Sequence, residues 1–102
     1  MLELRPTCEH CNTALPPESP NAMICSFECT FCSDCVHHVL SNVCPNCGGG
    51  FSNRPIRPVQ NWKNDFFLGK YPSGSTIKHR PANTAAHAAL VAKVGDIPPE
   101  KR

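Results

Sequence analysis

Large apolar residues are sparse along this chain, and their spacing changes from segment to segment. Met23, Ile24, Phe27 and Phe31 fall close together and predict a short strand or hairpin. Directly after them Val36, Val39, Leu40 and Val43 recur at i, i+3, i+4 and i+7, the repeat of one helix face, with Ser33 as the candidate N-cap. His37, His38 and Ser41 then lie away from that face. A second helical repeat is carried by His87, Leu90, Val91 and Val94. Asn83 or Thr84 can cap it, alanines at 85, 86, 88, 89 and 92 raise its propensity, Gly95 stops it, and Pro98-Pro99 prevent resumption. A helix of about eleven residues is marginal in isolation. It therefore needs a surface, which its own domain, a second copy or another protein would supply.

Breakers divide what remains. Pro16, Pro17 and Pro20 make Thr13 to Asn21 an irregular loop, and Pro72, Ser73, Gly74 and Ser75 make Tyr71 to Arg80 a flexible connection. Gly48-Gly49-Gly50 closes the first half with residues free to take positive φ. Arg54-Pro55-Ile56-Arg57-Pro58 has the proline spacing of an extended, polyproline-like spacer. Trp62, Phe66, Phe67, Leu68 and Tyr71 follow it, a density of aromatics that disordered segments lack. Those aromatics either cover the hydrophobic side of the first half, the preferred expectation because a small domain needs every apolar contact, or form a partner-binding patch.

The cysteines change the picture most. All eight occur as Cys8-x2-Cys11, Cys25-x3-Cys29, Cys32-x2-Cys35 and Cys44-x2-Cys47, inside the first half of a 102-residue chain. A chain this short buries little apolar surface and needs staples. Eight thiolates satisfy two tetrahedral zinc ions, and the x2 spacing lets one tight turn aim two sulfurs at a metal about 2.3 Å away. Four disulfides are the alternative for an even count in a short chain. The N-terminus, Met1-Leu2-Glu3-Leu4-Arg5-Pro6, shows no secretory pattern and no apolar run reaches membrane-spanning length, so the expectation is a reducing cytoplasmic setting, free thiols and two Zn2+ per chain.

Charge separates the same two halves. Residues 1–50 carry one Arg against five acidic residues, and residues 51–102 carry nine Lys and Arg against three. The formal net charge of +2 hides this division, and two all-thiolate zinc sites would make the first half more negative by a further four. The basicity of the free chain is therefore no nucleic-acid signature of the whole protein.

Spacing alone leaves the ligand pairing open. Sequential filling would pair Cys8, Cys11, Cys25 and Cys29 at one ion and Cys32, Cys35, Cys44 and Cys47 at the other; a cross-brace would interleave them. The run Cys25-Ser26-Phe27-Glu28-Cys29-Thr30-Phe31-Cys32-Ser33-Asp34-Cys35-Val36, closed by Cys44-Pro45-Asn46-Cys47, resembles a RING finger with Cys29 in the usual histidine place. That resemblance implies the cross-braced assignment, Cys8, Cys11, Cys32 and Cys35 at site 1 and Cys25, Cys29, Cys44 and Cys47 at site 2. Cys8-Glu9-His10-Cys11, Leu15-Pro16-Pro17 and Cys44-Pro45-Asn46-Cys47-Gly48-Gly49-Gly50-Phe51 are similar more closely to a bacterial family of small cysteine-rich proteins, domain of unknown function 1272. This resemblance implies a bacterial cytoplasmic context and no particular activity.

The expected fold is a small metal-stabilised α+β one: a RING-like cross-braced two-zinc module with a short helix over 1–51, a Pro-rich, aromatic, basic extension over 52–82, a C-terminal helix over 83–95 and a disordered end over 96–102. No Ser/His/Asp set or phosphate-cradling Gly-x4-Gly-Lys motif is present, and His10, His37 and His38 read as surface imidazoles. The expected function is non-enzymatic, a structural zinc-binding protein-interaction or scaffolding module with an unidentified protein partner, no small-molecule substrate and no membrane. A ubiquitin-ligase-like activity is the first alternative, weakened because Glu9 and Gly48 stand where RING ligases generally use an aliphatic and a basic residue. Nucleic-acid binding through the basic tail is the second. A thiol-redox role would require a spare reactive cysteine.

Overall fold

A computed structural model describes residues 1–102 and shows a small α+β fold. Strand β1 (Ala22–Ile24) and strand β2 (Thr30–Cys32) form the hairpin expected from the Met23 to Phe31 cluster, with Met23 opposite Phe31. Strand β3 (Ser52–Asn53) pairs antiparallel with the other edge of β1, giving the order β2-β1-β3. Helix α1 (Ser33–His38) follows β2 without a loop, and helix α2 (Thr84–Val94) lies near the end of the chain.

Helix α1 is shorter than its apolar repeat suggests. Cys32, in extended conformation, is the N-cap in place of Ser33 and gives no side-chain cap. The Leu40 and Asn42 amides reach back to the Cys35 and Val36 carbonyls in a wide turn, and Ser41 and Asn42 both take positive φ, which ends the helix. Val36, Leu40 and Val43 are buried all the same, whereas Val39 is exposed. The apolar spacing thus reports one buried face of a helix and the turn that follows it. Helix α2 agrees with expectation in both limits: the Asn83 side chain accepts from the Ala86 amide at 3.0 Å, and Gly95 is the C-cap.

The core is thin. Leu4, Leu15, Met23, Phe31, Val36, Leu40 and Val43 are its large apolar members, and buried cysteines make up much of the remainder. Phe31 and Phe51 meet edge-to-face with centroids 5.4 Å apart. The packed unit also reaches past residue 51, because β3 completes the sheet and Arg54, the residue that follows it, is buried. The Arg54 guanidinium donates to the carbonyls of Arg5 at 2.9 Å, Leu15 at 3.1 Å and Pro16 at 2.9 Å. It forms no ion pair, and burial lowers its pKa from the ordinary value.

The aromatic extension does not cover the cysteine-rich half. Trp62 is 80 % and Phe66 60 % exposed, and Ile56 and Val59 also face outward. The segment folds on itself instead: Asn61 and Asp65 exchange hydrogen bonds, Phe66 stacks on Tyr71, and Arg57 donates to the Tyr71 and Leu2 carbonyls, each at 2.7 Å. Beyond it, the stretch expected to be a flexible connection runs beside residues 4–10 in the same direction. The Gly74 amide donates to the Leu4 carbonyl, that of Arg80 to the Glu9 carbonyl, and that of Ala82 to His10 Nδ1. The end of the chain, expected to be disordered, forms a 3-10 turn over Pro99–Lys101. Arg102 donates there to the carbonyls of Ile97, Asn42 and Gly48, and Pro99 sits 2.8 Å from where a Cβ on Gly50 would stand. Polar tethers of long sequence separation, which no local pattern announces, account for both differences.

Replacing Arg54 by alanine removes the donors of three buried carbonyls. Chemical denaturation of R54A is expected to show a loss of about 3 kcal/mol with an unchanged dependence on denaturant; a loss below about 1 kcal/mol would mean that water replaces the guanidinium without cost.

Candidate metal centre

Each Cys-x2-Cys turn at the two ends of the cysteine-rich half is built in the same way. The Asn12 amide returns to the Cys8 carbonyl at 2.9 Å and the Gly48 amide to the Cys44 carbonyl at 2.8 Å, and the returning residue takes positive φ in both. The turn directs its two sulfurs to one side. The β1–β2 hairpin brings Cys25 and Cys29 to one end of the sheet, with Glu28 at positive φ between them, while β2 and α1 carry Cys32 and Cys35 to the other. Strand polarity therefore separates Cys25 and Cys29 from Cys32 and Cys35 and leads to an interleaved grouping.

The Sγ atoms of Cys8, Cys11, Cys32 and Cys35 lie within 4.8 Å of one another, and those of Cys25, Cys44 and Cys47 form a second such group. The eighth cysteine, Cys29, does not join the second group at that distance. It is buried beside it, with Asn46 Nδ2 donating to its sulfur at 3.4 Å. Amides also point at the sulfurs, Phe27 N–H to Cys25 at 3.3 Å and Gly49 N–H to Cys47 at 3.4 Å. No disulfide is formed. These two clusters, of four and three cysteines, could each hold a metal ion.

The thiols of the first cluster are unlike one another. For Cys11 burial acts upward, but hydrogen bonds from the side chain and backbone of Thr13 and from Cys8 and Cys32 outweigh it and lower the pKa to about 6. Burial, together with the neighbouring thiols, pushes Cys35 far up, and burial raises Cys32 too. In the second cluster burial raises Cys44, assisted by the charges of Cys25 and Cys29. A site that makes charged thiolates this costly is stable when a cation compensates them.

A carboxylate anchors the first turn from behind. Glu9 is 1 % exposed. Its Oε2 accepts from Arg5 Nη1 at 2.8 Å and from the Thr30 amide at 2.7 Å, and its Oε1 accepts from Arg80 Nη2 at 2.8 Å. Its own amide donates to the Thr30 carbonyl at 3.0 Å, so one residue ties the turn to β2, to the N-terminal segment and to the tail. His10, expected as a surface imidazole, accepts from the Ala82 amide at Nδ1, which fixes an unprotonated Nδ1, and its carbonyl meets His79 Nε2 at 3.1 Å. His87 is buried with Nε2 2.9 Å from the Leu40 carbonyl, the contact that docks α2. Sequence reasoning passed over Glu9, Arg54 and His87 as structural residues. Only His87 carried a signal, its place in the apolar repeat of α2.

The sequence profile described as "Protein of unknown function (DUF1272)" matches residues 1–57, which include all eight cysteines. The chain belongs to this family. An uncharacterized protein of Rhizobium meliloti (strain 1021) is 46 % identical to it over 89 residues, covering 87 % of this chain and 99 % of that relative. The similarity therefore continues into the tail beyond the family match. No solved structure matches the chain.

Removing the Glu9 carboxylate strands the Arg5 guanidinium in a buried position. E9A is expected to lose about 3 kcal/mol in chemical denaturation, and a change under about 1 kcal/mol would show that the charge is hydrated in place. Acid should act on the first cluster through proton competition. Lowering the pH through about 6 protonates Cys11 and adds one proton for an incoming metal to displace. The plot of log zinc affinity against pH, measured against a competing chelator, should therefore rise with pH and be steeper below pH 6 than above it. A uniform slope through that value would contradict the Cys11 assignment.

Proposed function

We propose that the chain is a structural zinc protein: two Zn2+ ions, one in each cysteine cluster, hold a small interaction module whose aromatic extension engages another protein. The single observation behind the reading is the gathering of sulfurs from distant parts of the first half into two groups, seven of the eight cysteines having their sulfurs within 4.8 Å of the others in their group. All-sulfur donor sets suit zinc, and Cys29 beside the second group would complete it as the fourth ligand. Closed four-sulfur sites leave no position for an activated water, which supports a non-enzymatic role. Free thiols accord with a reducing cytoplasmic location, and no helix is long and apolar enough to cross a membrane.

The extension is the favoured contact surface because Ile56, Val59, Trp62 and Phe66 are held outward on a loop closed by its own hydrogen bonds. Exposed aromatic residues at a fixed loop are the kind of anchor that protein interfaces use. Two other readings have less support. The ligase-like reading needs Glu9 at the surface, and that carboxylate is enclosed by Arg5, Thr30 and Arg80. The nucleic-acid reading loses most of the tail's arginines, because Arg54, Arg57, Arg80 and Arg102 are engaged within the chain and Lys70 pairs with Asp65 at 3.7 Å, which leaves it Lys63, Lys78, Lys93 and Lys101.

Elemental analysis of protein isolated under reducing conditions should find two zinc ions per chain, and chelation should abolish the folded circular-dichroism signal. Metal-free yet folded protein would reject the reading. In affinity capture, W62A/F66A should lose the bound partner while retaining both metals; capture unchanged by that pair would move the contact away from the extension.

A further inference from the structure

The two cysteine clusters are not equally protected. Six of the eight cysteines are buried, and each cluster has one exposed thiol, Cys11 in the first and Cys47 in the second. Around Cys11 the chain is fastened on all sides: Thr13 Oγ1 lies 3.0 Å from its sulfur, Cys32 Sγ lies 3.7 Å away, and the neighbouring Glu9 and His10 are bound to Arg5, Thr30, Arg80 and Ala82. The Cys47 sulfur has no side-chain partner and is met by the Gly49 amide alone, at 3.4 Å. Gly48, Gly49 and Gly50 follow Cys47 directly, and a Cβ on Gly48 would meet nothing within 4 Å. A Cβ on Gly49 would stand 3.4 Å from the Cys47 sulfur, so glycine at that position leaves the sulfur uncovered. The second cluster is also the one whose fourth cysteine, Cys29, stands apart from the other three.

We propose that Cys47 is a peroxide-reactive thiolate, and that its oxidation opens the second metal site while the first remains filled. This rests on the two-zinc reading above. In the first step the Cys47 thiolate attacks one oxygen of hydrogen peroxide. An S–O bond forms, the O–O bond breaks, and the departing hydroxide takes a proton to become water, leaving a sulfenic acid on Cys47. In the second step a neighbouring thiolate of the same cluster, Cys25 or Cys44, attacks the oxidised sulfur, and both lie within 4.8 Å in the cluster. The S–S bond forms as the S–O bond breaks, and the hydroxide again leaves as water after taking a proton. Two thiolates are oxidised by two electrons in total, one peroxide is reduced to two waters, and the zinc ion departs unchanged in charge because two of its ligands have become a disulfide. Opening this site loosens the Cys44–Gly50 turn, against which Arg102 and Pro99 rest. Peroxide would thereby alter how the chain end is held without disturbing the Glu9 anchor at the first site.

The test treats the full-length zinc-loaded protein with hydrogen peroxide, following metal release with a colorimetric chelator and mapping modified cysteines by mass spectrometry. The expected result is early release of one of the two zinc ions, a disulfide joining Cys47 to Cys25 or Cys44, and unmodified Cys8, Cys11, Cys32 and Cys35. Gly49→Ala keeps all eight cysteines and covers the sulfur, so it should begin with the same zinc content and release the first ion several-fold more slowly. Simultaneous loss of both ions, first modification at Cys11, or an unslowed G49A variant would overturn this inference and leave the two-zinc reading standing. Protein that contains no zinc before peroxide is added would overturn both.

Discussion

The structure depends on sulfurs from distant parts of the chain meeting in two groups. Cys8 and Cys11 meet Cys32 and Cys35, while Cys44 and Cys47 return to Cys25. Neither group can form from one continuous stretch, so each fixes the path of the segments that serve the other. This constraint takes the place of a large apolar interior. Phe31 and Phe51 are the only aromatic residues packed at the centre, and the remaining large members are leucines, valines and Met23. A core of that size stabilises a domain weakly, and cross-links of some kind are the usual remedy.

What the sequence revealed was whatever has a short period. The cysteine pairs, the β1–β2 hairpin and the cap and stop of α2 all depend on neighbours within a few positions, and their residues are chemically distinctive. The interleaved grouping became legible only through resemblance, since spacing by itself admits two pairings. What stayed hidden was long-range and polar. Arg54 looks like part of a proline-rich spacer until its three carbonyl partners are seen, and Glu9 looks like a solvent-facing residue in a tight turn until Arg5, Thr30 and Arg80 are seen around it. A buried charge has no periodic signature. The aromatic extension misled in the opposite sense, because its composition suits a covering layer and its fold turns Trp62 and Phe66 outward.

The tail is best understood as a strap with an outward-facing loop. Residues 74–82 follow the N-terminal segment and deliver Asn83 to the start of α2, where the buried His87 holds that helix to the turn after α1 through Leu40. The first cysteine turn therefore bears on the tail through Glu9 and His10, and the last one through Arg102. Both terminal cysteine turns thus share direct hydrogen bonds with the second half of the chain.

Three of the tail's arginines, Arg54, Arg57 and Arg102, grip main-chain oxygens instead of acidic side chains. Main-chain oxygens do not titrate, and short directed hydrogen bonds to them are far less sensitive to added electrolyte than exposed ion pairs are. The wrapping of the second half around the first should consequently persist through added salt that would unlace a surface held together by opposite charges, with the Glu9–Arg80 contact its one ionic fastening.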